Sequence, residues 1–415
     1  MSAPAPTPEE PSGFLAPFRF RNYRLIWTGA FLSSVGTWTQ DVALAWLIHA
    51  RFGDPVYLGL RQFAADLPLV AFMLVGGAVA DRIDRRRILV ASNALQMTFA
   101  AVLGGLYATG RLGVPAILLL AFLTGLTQSQ SAPTYQAVLT SLVPPRLIPG
   151  AVALNSLQFN LSRFVGPMIA GALLAQGGAG ACFAVNVASF LAVIVAVALI
   201  RLPEAAPAAR GEGFGRSLRA GFAEVRGSRA LSRLILIAGA GSFLAFPLVT
   251  YLPVLAGDVL DTGSSGYSLL LSSYGAGAIA GAVFTAHRGQ AHGRDRALLV
   301  AFMVYGLAAL AAVWAGRQGL AMALLFVAGA SLVSAFATLN ALVQESAPEA
   351  FRGRVLSIYG LAFRGGMPLG SLVAGVGVRA LGAPWVLGAF SLSLALLAAA
   401  VFARGGAFAG PGRAP

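Results

Sequence analysis

The sequence contains no lysine and a single cysteine, Cys182, among 415 residues. A lone cysteine excludes a disulfide framework and any cysteine-based metal site. Histidine is almost as scarce. His49, His287 and His292 are too scattered for a catalytic cluster, and the spacing of the last two is not a metal signature. Charge is also sparse, at 11% of residues against about a quarter in ordinary soluble domains. A soluble core cannot hide a chain that is 57% hydrophobic, so lipid must be the solvent for much of it. The net charge of +14 comes from arginines set in short breaks between apolar runs, not in one basic patch. That placement speaks against a nucleic-acid partner. No nucleophile with a base, and no metal cluster, stands at mid-span depth. A membrane-embedded enzyme is therefore a remote alternative, and no catalytic residue, metal or cofactor is expected.

What the chain does have is a succession of apolar runs, each near the roughly 20 residues that a span requires. Twelve are read, at 23–49, 56–80, 88–109, 113–140, 150–176, 180–200, 231–256, 264–287, 296–316, 318–346, 354–380 and 382–404. Residues 1–22 read as a disordered cytoplasmic lead without the apolar core of a signal peptide, and 405–415 as a disordered tail. The polar stretch 201–230 reads as a cytoplasmic linker between two six-helix halves, 23–200 and 231–404. With a cytoplasmic N-terminus, 22 arginines fall on the inner side and four in outer loops, which places both termini in the cytoplasm. The halves echo each other: Arg163 and Pro167 recur as Arg364 and Pro368. The expected fold class is thus an all-α membrane protein of two six-helix pseudo-repeats.

The segment Gly76-Gly77-Ala78-Val79-Ala80-Asp81-Arg82-Ile83-Asp84-Arg85-Arg86-Arg87 follows the second span. It resembles the cytoplasmic signature of the major facilitator superfamily. Phe20-Arg21-Asn22-Tyr23-Arg24-Leu25, the stretch from Ser33 to Trp46, Arg163-Phe164-Val165-Gly166-Pro167 and Arg352-Gly353-Arg354-Val355-Leu356-Ser357 narrow the likeness. They look like the enterobactin-exporter-like, transmembrane secretion effector branch. The resemblance covers nearly the whole chain and implies a secondary transporter in the bacterial inner membrane. It also implies a conformational latch made of Gly77, Asp81, Arg82, Arg85 and Arg86, facing Arg352 and Arg354 at the start of span 11. Two departures stand out. The second-half counterpart of the loop, Gly281 to Arg296, lacks the matching Asp, and Gly125 is preceded four residues earlier by Ala121 rather than the arginine of many drug–proton antiporters.

A helix facing a watery cavity should carry a polar stripe at helical spacing. Span 1 has Ser34, Thr37, Trp38 and Asp41; span 4 has Thr124, Thr127, Gln128, Ser131 and Tyr135; span 10 has Ser331, Ser334, Thr338 and Glu345. The resemblance places spans 1, 4, 7 and 10 around the substrate cavity, although hydrogen bonds between helices would leave the same trace. Ala153, Ser162, Gly166, Pro167, Ala170 and Gly171 in span 5 match the small-residue positions of the family's antiporter motif. The intramembrane charges are Asp41, Arg61, Asp66, Arg163 and Arg364, and such residues usually line a pathway or pair with one another. Asp41 and Asp66 are the proton-coupling candidates. Arg163 and Arg364 are cavity candidates. The resemblance implies that span 2 packs on span 11, so Asp66 is expected to meet Arg364 in one state and leave it in another. The rival arrangement pairs Asp41 with Arg61 and leaves Asp66 alone. The expected activity is proton-driven export of an amphipathic small molecule, siderophore-like or drug-like, by a monomer in the lipid bilayer; a lipid or lysophospholipid flippase is the alternative.

Overall fold

A computed structural model describes residues 13–75, 84–200, 214–288 and 293–404. Every regular element among them is helical. The reason is the solvent: in hydrocarbon each backbone polar group must be satisfied within its own segment. The first helices are α1 (Arg21–Phe52), α2 (Val56–Val75), α3 (Arg85–Ala108) and α4 (Val114–Ser141). The helical segment Ile148–Leu199 breaks at Gly178 (φ 68°, ψ −172°) into α5, 148–177, and α6, 179–199. A side chain would strain that backbone, so glycine marks where the chain reverses.

A short helix, α7 (Phe214–Gly227), precedes α8 (Arg229–Thr250), whose first turn is capped by Ser228 through the Leu231 N–H. A one-turn helix, Leu252–Val254, and a π turn, Leu255–Val259, carry the chain on to α9 (Gly263–Arg288). The last helices are α10 (Arg294–Val313), α11 (Gln318–Ser346), α12 (Arg352–Leu381) and α13 (Ala383–Ala403).

Nine helical segments among the described residues are long and apolar enough to cross a membrane. Helices α1 and α2 are not among the nine, although they are 32 and 20 residues long. Both carry charge at mid-helix, and that charge is where the functional interest lies. The stretch expected as a plain linker, 201–230, contains α7, which lies against α12: Gly221 abuts Arg354 and Ile358.

The packing follows one pattern twice. Helix α1 packs on α5 and α6, α2 on α4, and α3 on α4 and α6. Likewise α8 packs on α12 and α13, α9 on α11, and α10 on α11 and α13. Two crossings join these groups, α2 on α12 and α5 on α9. Small residues set the contact distances, because apolar side chains gain little by leaving lipid for a helix. Gly166 admits Trp38, Gly171 admits Ser268, and Gly125 lies directly against the backbone carbonyl of Ala65. Ser162, Gly166, Pro167 and Ala170 are buried; Ala153 is exposed, although Ala151 and Leu154 on either side of it are buried and their carbonyls accept from Tyr23 and Trp27 of α1.

Any Cβ at position 125 would overlap the Ala65 carbonyl. Gly125→Leu is therefore expected to lower stability by about 1–3 kcal/mol, the usual range for overpacking. Gly105→Leu, where a Cβ meets nothing within 4 Å, should be near neutral. Thermal unfolding of the purified variants in detergent checks this; equal midpoints would contradict it.

Candidate functional site

The mid-helix charges fall into two separate compartments. The first is a pocket of about 150 Å³ among α1, α2, α3, α4 and α6. Asp41 and Arg61 form an ion pair on its wall. Next to them, the Gln62 side-chain amide donates to Asp66 Oδ2 at 2.6 Å. Thr124 and Gln128 of α4 face the same space, as do Gln96 of α3 and Asn186 of α6. Asn186 is almost wholly buried, and it donates to Gln40 Oε1 at 2.9 Å while its own carbonyl accepts from Thr37 at 3.5 Å. The pocket is polar and roomy enough for several water molecules.

The second compartment is a cavity of about 560 Å³ on the other side of the α2–α12 and α5–α9 crossings. Arg163 of α5 and Arg364 of α12 both line it. The Arg163 guanidinium lies over the rings of Trp38 (5.3 Å) and Tyr274 (5.8 Å). The far wall is aromatic: Phe336 lies 4.7 Å from Phe363 and 6.1 Å from Phe246, and Tyr359 stacks on Phe363 at 6.2 Å. Asn340 and Gln344, near the end of α11, and Leu356, near the start of α12, extend the lining toward the arginine-rich end of the bundle.

At the opposite, arginine-poor end, two ties cross the same seam. Asp54, in the turn between α1 and α2, pairs with Arg379 in the last turn of α12. His49 of α1 lies 3.4 Å from Asp258 on the π turn, and Gly257 leaves room for its ring. The two groups of helices are thus held together at one end and flank a cavity toward the other.

Of the two charge arrangements considered from sequence, Asp41 with Arg61 is the one present. Asp66 and Arg364 form no contact pair in this state. The stripe on α1 divides: Thr37 and Asp41 face the pocket, Ser34 accepts a hydrogen bond from Gln158 at 3.0 Å, and Trp38 turns to Arg163. The stripe on α4 divides too. Thr124 and Gln128 face the pocket, Thr127 bonds back to its own helix, and Ser131 is half-buried. Tyr135 packs beside Tyr23 and Leu139, its hydroxyl buried without a hydrogen-bond partner.

Ser331, Ser334 and Thr338 do not line the cavity that holds Arg163. They face a groove between α9 and α10, where Ser334 donates to the Gly281 carbonyl, and Glu345 pairs with Arg294. Of the expected latch, Gly77, Asp81 and Arg82 lie outside the described residues. Arg85 and Arg86 open α3, with Asp84 capping it through the Arg86 N–H, and Arg352 and Arg354 open α12. Sequence reasoning missed the amides Gln40, Gln62, Gln96 and Asn186. The signal was there, because an amide in an apolar run is costly unless it finds a hydrogen-bond partner, and Gln62 stands one turn from Asp66.

Residues 12–405 match the model of the transmembrane secretion effector family. The chain belongs to that family. It is a multi-pass membrane protein of the major facilitator type. It is 26% identical over 361 residues to the staphyloferrin A transporter of Staphylococcus aureus, covering 85% of this chain and 88% of that protein. It is 21% identical over 364 residues to macrolide efflux protein A of Streptococcus pyogenes, covering 86% and 90%. Among solved structures, a mutant of the nucleoside transporter NupG superposes with a TM-score of 0.77 at 11% identity, covering 92% of this chain and all of that one. At that identity the likeness is one of fold.

Within this member of the family, the Asp41–Arg61 pair sets the electrostatics of the pocket. Removing one partner leaves the other charge uncompensated, whereas removing both does not. Arg61→Gln is expected to lower the thermal midpoint by roughly 3–5 °C. Adding Asp41→Asn should restore part of that loss. A double variant less stable than either single one would contradict the pairing.

Proposed function

We propose that the protein is a proton-driven exporter of an amphipathic organic molecule, working by alternating access. In this reading twelve spans, α1–α6 and α8–α13, form two six-helix halves, 23–200 and 231–404. They rock about the α2–α12 and α5–α9 crossings. The protein works as a monomer in the bacterial inner membrane, with both termini cytoplasmic, as the arginine distribution suggests. The arginine-poor end is then the outer side, and the present state faces the cytoplasm. The Asp81 loop acts as the latch on that cytoplasmic side. The substrate is siderophore-like or drug-like, a range within which the staphyloferrin A and macrolide relatives fall.

The observation that carries the reading is the unequal treatment of two carboxylates in one pocket. Asp41 has a guanidinium partner in ion-pair contact. Asp66 has a neutral amide as its hydrogen-bond partner, so a proton removes a charge from mid-span while an oxygen remains to accept from Gln62. Asp66 therefore carries the proton, and Asp41 fixes the field around it. Arg364, on the helix facing α2, feels the charge of Asp66 at a distance. Protonation removes that attraction and biases the two halves differently, which is what a ligand-driven switch requires.

The test uses everted, respiring membrane vesicles in which acridine orange reports the proton gradient. A panel of macrolides and siderophores is added in turn. At least one compound should dequench the dye by wild-type protein, and an uncoupler should abolish its uptake. Asp66→Asn should reduce the response at least tenfold. An Asp66→Asn response equal to wild type, or uptake that survives the uncoupler, would refute proton coupling through this residue.

A further inference from the structure

The two compartments carry opposite net charge. The pocket inside the first helix group holds both mid-helix carboxylates, and its own arginine already neutralises one of them. The cavity across the seam holds Arg163 and Arg364, and no Asp or Glu is among its described lining residues. Among the described residues neither arginine has a carboxylate in ion-pair contact. Trp38 and Tyr274 attract the Arg163 guanidinium without cancelling its charge, since a ring offers only its quadrupole. Two cations at mid-span with no contact counter-charge are expensive, and the expense falls when an anion arrives.

The rest of the cavity narrows the kind of anion. Phe246, Phe336, Tyr359 and Phe363 form a continuous wall with ring centroids 4.7–6.2 Å apart, suited to a flat apolar body. A volume of about 560 Å³ is of the size that takes a drug-sized ligand. The two arginines also come from opposite sides of the seam, Arg163 from α5 and Arg364 from α12.

We infer that this cavity binds aromatic organic anions carrying two or more negative charges, with one acidic group on Arg163 and another on Arg364. The inference rests on the transporter reading for its biological meaning, but the binding itself does not need transport. An anion engaging both arginines bridges the two helix groups and draws them together around itself. A cation of the same shape meets the same aromatic wall and two like charges, and is rejected.

Two dyes with one ring system and opposite charge separate these cases: carboxyfluorescein, a multiply charged anion, and rhodamine 123, a cation. Fluorescence polarisation with purified protein in detergent reads binding without any gradient. Carboxyfluorescein should bind saturably and at least tenfold tighter than rhodamine 123. Arg163→Gln and Arg364→Gln should each weaken carboxyfluorescein at least tenfold. Arg317→Gln, the same loss of charge at an exposed loop far from the cavity, should not. The wild-type dye comparison stands even if the Arg163 variant misfolds. Tighter binding of rhodamine 123, binding of neither dye, or unchanged binding by well-folded arginine variants would overturn the inference. Failure of proton-driven uptake with anion selectivity intact would instead overturn the coupling mechanism and leave this inference standing.

Discussion

A charge inside a lipid-embedded protein survives only where something offsets its desolvation, and the architecture here is arranged around that constraint. The Asp41–Arg61 pair is the centre of it. With that pair in place, α1 and α2 can be more polar than their neighbours and still sit among helices of high hydropathy. The pair also stands on the wall of a polar pocket in which Gln62 donates to Asp66. The unpaired cations lie elsewhere, in the larger cavity, where rings rather than carboxylates surround them.

Close helix contact makes this segregation possible. Gly125 lets α4 lie on α2 beside the pocket, and Gly166 lets α5 lie on Trp38 beside the cavity. The same small-residue logic shapes the seam: Gly59 and Gly375 accommodate the Tyr251 hydroxyl, which donates to the Ser371 carbonyl at 2.7 Å. At the arginine-poor end the seam is held by polar ties instead. Asp54–Arg379 and His49–Asp258 are formed by side chains on turns and helix ends, which can part without repacking a core.

The helices were legible in the sequence because lipid dictates both their length and their content. Most boundaries read from apolar runs fall within a few residues of the observed helices, from Arg21–Phe52 to Ala383–Ala403; the end of the second span lies outside the described residues, and the seventh, read to 256, gives way after Thr250 to a one-turn helix and a π turn. The family was legible in short polar segments between them. Helix α7 was hidden because its pattern, apolar at Phe214, Leu218, Phe222 and Val225 among arginines, lies in a stretch whose overall polarity says linker. The cavity was only half legible. Periodicity identifies one face of a helix but not the neighbour that face will meet, so Ser334 and Thr338 were expected beside Arg163 and instead look toward α9 and α10. Asp66 was recognised as significant, yet its partner Gln62, one turn away, was overlooked in favour of a charge on the facing helix.

The central claim is that the two helix groups pivot as bodies, with the polar ties holding one end shut. Pulsed electron–electron resonance distances test it most directly. Cys182 is buried and can be replaced by Ala to clear the background. One label pair is placed at Arg111 and Arg317 at the tied end, and another at Ser141 and Glu349 at the opposite end; all four positions are exposed. Breaking both ties with Asp54→Asn and Asp258→Asn should lengthen the first distance and shorten the second. Distances that stay fixed, or that change in the same direction at both ends, would contradict the account.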